Sequence, residues 1–249
     1  MSQHTAAKNV LRPVSARSAL LSLLLGADEP TLSARELVAG GKLVGFSEPT
    51  IRVALSRMVA VGDTVRTQDG GYRLSERLLH RQRRQEAAIH VRTRPWSGAW
   101  DMVVVTASGR AAGERADQRA ELTELRLAEL REGVWLRPAN LEMNWPANLE
   151  GISERLVTRP TRDPAELAAQ LWDLPAWADR ARALLAATDT TDPVMRFTAC
   201  ATSVRHLLDD PVLPEELLPA GWPGAELRKA HLEYNRSLTE TRRELAATD

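Results

Sequence analysis

The chain has one cysteine, two phenylalanines and two tyrosines in 249 residues. A single cysteine excludes an internal disulfide framework and any cysteine-based zinc site. Cys200 stands in "FTACATSV", an apolar helical context where a buried, inert thiol is expected. Long hydrophobic runs are also missing: the longest, "ALLSLLLGA", is much too short to span a bilayer. "MSQHTAAKNV" lacks the basic-then-apolar pattern of a leader, so a cytoplasmic protein with no membrane partner is expected. His80, His90, His206 and His231 are scattered, and none has metal-ligand spacing. No paired carboxylates, HExxH, GxSxG or P-loop accompany them. Neither a metal nor a cofactor is expected, and there is no internal repeat.

What is present is an uneven charge. The 33 basic and 33 acidic residues cancel overall. Residues 1–94 nevertheless hold 15 Lys/Arg against 8 Asp/Glu, a net of +7, and the rest carries −7. A basic N-terminal part suggests a localised module for a polyanion, against the plainer reading of uneven surface charge on separate domains.

The N-terminal pattern is ordered. "SARSALLSLLLG" predicts a helix capped by Ser15, with Ala16, Leu20, Leu23 and Leu24 as its apolar stripe and Gly26 as its stop. "DEPT" reads as a turn. "LSARELVAGGKLVG" predicts a short helix capped by Ser33 and ended by Gly40 and Gly41. "SEPTIRVALSRMV" predicts the next, with Ser47 as N-cap, Pro49 in the first turn and Gly62 beyond its end. Asp69-Gly70 between two short β-prone runs signals a hairpin. Helix, short helix, turn, helix and hairpin is the order of a winged helix-turn-helix. Residues 75–94 read as a charged helical linker, with phosphate contacts as the competing role for its arginines.

"RTRPWSGAW" marks a boundary. Beyond it come a buried-strand candidate "WDMVVVTA", a polar helix "GERADQRAELTELRLAELRE", and strands at "GVWLRPAN" and "ISERLVTRPT". Asp163 and Pro164 start a helix with Leu167, Leu171 and Trp172 inward. A second helix carries Trp177, Ala181, Leu184 and Leu185. This order suggests a ferredoxin-like α+β unit. The end looks helical: "VMRFTACATSVRHLL", a proline-rich stretch, then a long helix with Leu227, His231, Tyr234, Leu238 and Leu245 on one side. The expected class is multidomain α+β. Residues 1–74 are the winged helix-turn-helix, 75–94 the linker, 95–190 the ferredoxin-like domain and 191–249 the helical domain.

In the third helix the 3.6 period assigns Ile51, Leu55, Met58 and Val59 to the core. It leaves Thr50, Arg52, Ser56 and Arg57 on the open face. Arginine bonds guanine edges bidentately, and Thr or Ser bonds bases or phosphates. Arg66 and Arg73 flank the hairpin tip, where backbone phosphates are contacted. A protein-binding or purely structural winged helix is the alternative, since fold alone does not decide function.

"SARSALLSLLLG", "GFSEPTIRVALSRMVAVGDTV", "RPWSGAWDMVVV", "GVWLRP", "LWDL" and "LLDDPVLPEELLPAGWPGAELR" together resemble the phenylacetate-degradation repressor (PaaX) family. The likeness runs from about Arg17 to Leu245. It implies a GntR-like winged-helix repressor, dimeric on an imperfect palindrome in double-stranded DNA. It also implies a ferredoxin-like middle domain and release by phenylacetyl-CoA or another acyl-CoA. The resemblance assigns DNA reading to Ser47, Thr50, Arg52, Ser56 and Arg57. The wing role falls on Arg66, Gly70 and Arg73. For an effector, Trp172, Trp177 and Trp222 offer stacking faces, with core packing as their other reading. Arg180, Arg205 and His206 offer charge.

Two other classes compete. One is a metal-dependent nuclease of the kind used in CRISPR adaptation, with Asp101 near the first strand of the middle domain. The other is an interaction module whose helical C-terminus binds a protein partner.

Overall fold

The computed structural model describes residues 11, 14–29, 31–107, 109 and 111–248. The "MSQHTAAKNV" stretch, and with it the start of the 1–74 region, lies outside the described residues. The chain packs as two compact units. Unit 1 comprises Met1–His90, Asp179–Leu208 and Pro223–Asp249. Unit 2 comprises Val91–Ala178 and Asp209–Trp222.

Unit 1 begins with α1 (Ala16–Leu25), where the Ser15 hydroxyl accepts from the Ser18 amide and Gly26 ends the helix. Leu20, Leu23 and Leu24 are buried as the stripe requires, and so are Leu21 and Leu25. Thr31, expected in a turn, instead opens β1 (Thr31–Leu32). Its partner is the hairpin strand Tyr72–Leu74. α2 (Ala34–Leu43) starts with a capping box, Ser33 and Glu36 each bonding the other's backbone N–H.

α2 does not stop at Gly40 and Gly41; both lie inside it. A Cβ on Gly40 would stand 2.8 Å from Leu23 Cδ1, and one on Gly41 would stand 2.5 Å from Ile51 Cδ1. The glycines let neighbouring helices close in, and that contact outweighs their weak helix propensity. The turn comes later, at Gly45 with φ +88°.

α3 (Glu48–Ala60) follows, then β2 (Thr64–Arg66), β3 (Tyr72–Leu74) and α4 (Glu76–Ile89). β1, β3 and β2 form an antiparallel sheet in that order. Unit 1 is completed by the end of α7 (Leu174–Thr188), by α8 (Pro193–Leu208) and by α9 (Gly224–Thr248). α8 packs on α4, and α9 packs on α2 and α8. Their Phe197, Ala201, Tyr234 and Leu238 join one apolar core with Leu20, Leu24, Ile51 and Leu74. The helices read as a separate C-terminal region are therefore part of the N-terminal unit. Leu245, expected on the buried side of α9, is 42% exposed; the apolar stripe does not persist to the last turns.

Two polar groups fix this unit. Asp63, 1% exposed, sits between α3 and β2. It accepts from Arg17 Nε at 2.7 Å and Arg77 Nη2 at 2.9 Å. Its amide donates to the Met58 carbonyl, and its own carbonyl accepts from Ser75. One residue thus joins α1, the end of α3, the foot of the hairpin and α4. Gln82 on α4 is also buried. Its Nε2 donates to the carbonyls of Leu24, Leu25 and Ala27 around the C-terminal end of α1.

Unit 2 is built on an antiparallel sheet ordered β5-β6-β4-β7. Its strands are β4 (Trp100–Val105), β5 (Ala128–Arg131), β6 (Val134–Pro138) and β7 (Ser153–Thr158). The polar helix α5 (Ala112–Glu124) links β4 to β5. It is shorter than the sequence reading, which carried it through Glu132. Arg126 takes φ +61°, which breaks the helix, and residues 128–131 pair with β6. Alternation along β4 sends Trp100 and Met102 to one face and Val103 and Val105 to the other. Trp100 packs with Leu167 of α6 (Pro164–Leu171) and with Leu213 and Leu217. Val103 packs with Leu122 of α5 and with Leu149. The proline-rich stretch 209–222 therefore belongs to the sheet unit. Arg137 and Asn140 fix it: Arg137 Nη2 donates to Asn140 Oδ1, and Asn140 donates to the Val212 carbonyl.

Asp63→Ala should lower unfolding stability by about 1–3 kcal/mol, because it strips two arginines of a buried acceptor. Arg77→Ala should cost less than about 1 kcal/mol, its side chain being 71% exposed. Denaturant midpoints of the two variants check the order.

Candidate nucleic-acid interface

α3 carries the face singled out by the sequence. Ile51, Leu55 and Met58 are buried with Ala54, and Val59 is half-buried. Ser47, Thr50, Arg52, Ser56 and Arg57 are all exposed. The core assignment and the open face thus follow the period. Ser47 has extended backbone angles at the N-cap, but its hydroxyl makes no cap bond. It lies 2.8 Å from the Thr50 hydroxyl instead, so the two form one polar pair at the start of the helix.

Sequence reasoning missed the acid in this face. Glu48 accepts from Arg52 Nε at 3.0 Å and Nη2 at 2.6 Å, and Lys42 Nζ stands 3.0 Å away. These bonds, that from Arg52 first, hold the Glu48 carboxyl below its ordinary range. The i,i+4 spacing of Glu48 and Arg52 was the signal available. The pairing fixes the Arg52 fork beside the first turn of α3. Arg57 makes no ion pair among the described residues.

The hairpin supplies the second group. Arg66 lies opposite Tyr72 in the register, its guanidinium 5.6 Å from the ring centroid. Arg73 is exposed on the central strand, with Thr31 on one side and Val65 on the other. At the tip, Gly70 has φ +83° with open space around it. The Thr67 hydroxyl donates to Asp69, and this bond is the main reason the Asp69 carboxyl lies below its ordinary range. The eight residues therefore share one unit: four on α3, Ser47 at its N-cap and three on the hairpin.

The residues singled out for a small effector divide. Trp172, Trp177 and Trp222 are in unit 2; Arg180, Arg205 and His206 are in unit 1. Trp177 and Trp222 stack at 4.5 Å between centroids, 15° from parallel. Trp172 and Trp222 pack against the Trp100 core, so these rings serve the fold of their own unit. His206 is buried, whereas Arg205 is exposed and lines a cavity of about 360 Å³ in unit 1.

Asp101 is buried in β4 opposite Arg137. Burial raises its carboxyl above the ordinary range, and the charges of Arg137, Arg94 and Arg155 oppose that rise. Its neighbours are thus cations rather than a second carboxylate. Among the described residues no group of three or more His, Cys, Asp or Glu is placed to hold a metal ion. No described helix is long and apolar enough to cross a membrane.

Three family models match the chain. Residues 15–78 match "PaaX-like protein", 93–158 match "PaaX protein central Cas2-like domain", and 165–247 match "PaaX-like protein C-terminal domain". Among solved structures, the chain is similar to the uncharacterized protein Rv0674 from Mycobacterium tuberculosis. The two share 46% identity with a TM-score of 0.80, over 93% of this chain and 98% of that one. No curated protein matches.

Burial pushes the Cys200 thiol up to about 12, against a weaker pull from the Arg196 charge. Its Sγ lies 3.2 Å from His231 Nδ1, and burial holds that imidazole below its ordinary range, in the neutral form. The thiolate is the reactive species. Native protein at pH 8 should therefore give no absorbance change with Ellman's reagent, and one equivalent per chain after unfolding in guanidinium. Rapid reaction of native protein would contradict the burial.

Proposed function

The chain belongs to the PaaX-like family, and from that premise we propose that it is a transcriptional regulator that binds double-stranded DNA through α3 and the β2–β3 hairpin. One observation carries the reading. A face bearing Thr50, Arg52, Ser56 and Arg57 and a hairpin bearing Arg66 and Arg73 are exposed in one compact unit. In this reading α2 and α3 are the helix-turn-helix and the hairpin is the wing. Thr50, Arg52, Ser56 and Arg57, with Ser47 at the helix start, face base edges; Arg66, Gly70 and Arg73 follow the phosphate backbone.

The four-stranded sheet, together with the match to a central Cas2-like domain, supports a ferredoxin-like reading of residues 95–190. Its order, β5-β6-β4-β7, is that of a split βαβ sheet whose second crossover is a loop with a short turn of helix at Ala147–Leu149. We read residues 1–74 as the DNA-binding region and 75–94 as its helical linker, with the C-terminal helices α8 and α9 packed in the same unit. Within this proposal the chain is a cytoplasmic, GntR-like repressor without enzymatic activity, acting as a homodimer on an imperfect palindrome and released by an acyl-CoA. Release then works by population shift. The effector moves the balance only by its differential affinity for the DNA-competent and DNA-incompetent states.

Selection of bound sequences from random DNA should recover a palindromic site with half-sites about one helical turn, or a multiple, apart. On that site, Arg52→Ala should cost about 1–3 kcal/mol and relax preference at one base pair. Arg73→Ala should weaken all sequences alike and shallow the salt dependence by about one counterion. Binding titrations at several salt concentrations separate the two effects. Unchanged operator affinity in Arg52→Ala would remove α3 as the reading helix, and a release screen with acyl-CoA thioesters tests the effector class.

A further inference from the structure

Unit 1 holds a cavity of about 360 Å³ among α1, α4, α8 and α9. This volume falls in the range of small-molecule sites. Leu25, Phe197, Val204 and Leu238 give it apolar walls. Cys200 and His231 also line it. Both are neutral, and the 3.2 Å contact between them ties up polar atoms that face the cavity.

Two cations face the same space, Arg81 from α4 and Arg205 from α8. Neither makes an ion pair or hydrogen bond among the described residues. Of the acids on the lining, Asp28 is 3.4 Å from Arg243, and the exposed Glu86 is bonded to neither cavity arginine. Burial disfavours the charge on Arg81, and the nearby charges of Arg205, Arg77, Arg84 and Arg17 add to that effect. The two like charges of Arg81 and Arg205, beside apolar walls and without a bonded counter-charge, are unfavourable alone and become favourable around an anion.

We propose that this cavity binds a small amphiphilic monoanion, its head held by Arg81 and Arg205 and its apolar body by Leu25, Phe197 and Val204. The site also has a route to the hairpin. α1 and α4, which form two of its walls, carry Arg17 and Arg77, the pair that holds Asp63 at the hairpin foot. Occupancy that shifts α1 against α4 therefore acts on the hairpin. This regulatory half rests on the DNA-binding reading; the binding half does not.

The test uses the full chain and two probes with the same aromatic body. 1-Anilinonaphthalene-8-sulfonate carries a negative charge, and N-phenyl-1-naphthylamine lacks it. Calorimetry and fluorescence should give one saturable site per chain for the sulfonate and weaker binding for the neutral amine. Arg81→Gln with Arg205→Gln should weaken the sulfonate about tenfold or more, the equivalent of one charge-assisted bond, and leave the amine unchanged. Should the double variant melt early, Arg205→Gln alone, at an exposed position, makes the same comparison. No saturable site, equal binding of the two probes, or undiminished sulfonate binding in the folded variant overturns the assignment. Titrating the selected DNA with and without saturating sulfonate separates the two readings. Probe binding without any DNA binding sinks the regulator and leaves the site. DNA binding without probe binding sinks the site and leaves the regulator. Binding of both, with DNA affinity indifferent to the probe, overturns the route through α1 and α4.

Discussion

Asp63 is a single buried carboxylate on which four elements converge. A buried charge is tolerated only where its oxygens are matched, and here Arg17 bonds Oδ2 and Arg77 bonds Oδ1. The backbone of the same residue closes α3 and receives the start of α4. The hairpin is short, with three-residue strands, and Tyr72 and Leu74 of β3 anchor it in the core shared with α3. Asp63 adds a polar joint at its foot. The arginines keep their outer surfaces in water while their inner nitrogens bond the acid. The joint is therefore polar and directional in a way that an apolar contact is not.

Much of unit 1 could be read from the chain, because local signals and tertiary packing agree there. Ser15 and Ser33 cap the helices they precede, the period of α3 divides buried from exposed residues, and Asp69-Gly70 makes the turn. Failures came where a residue answers to a distant partner. Gly40 and Gly41 look like a stop until Leu23 and Ile51 are seen pressing on them. β5 hides in a polar run because its start depends on the backbone at Arg126 and its pairing on Trp135 and Leu136. The tryptophans gave no local sign that Trp177 would stack on Trp222, 45 positions along the chain.

The candidate surface is less positive than a count of its arginines suggests. Glu48 occupies the Arg52 fork, and Asp69 stands at the hairpin tip. Each acid is held ionised by its own hydrogen bonds. Such self-pairing orients a long side chain before any partner arrives, which reduces the entropy lost on contact. It also means that an incoming acceptor must compete with a carboxylate already in place. Discrimination between acceptors rises at the expense of raw attraction.

Unit 1 is assembled from three separate stretches of chain, and its core includes Phe197, Ala201, Tyr234 and Leu238 alongside the N-terminal leucines. During synthesis the first ninety residues therefore leave the ribosome without the side chains that complete their core. Unit 2 in turn stays unfinished after Ala178, since Leu213 and Leu217 are still to come. α9, made after all of these, packs on α2. A chain that stops early thus leaves apolar surface uncovered on its oldest part. The face of α3 is backed by a finished core only when α8 and α9 are present, so a chain cut before them should fold poorly rather than give a free-standing N-terminal domain.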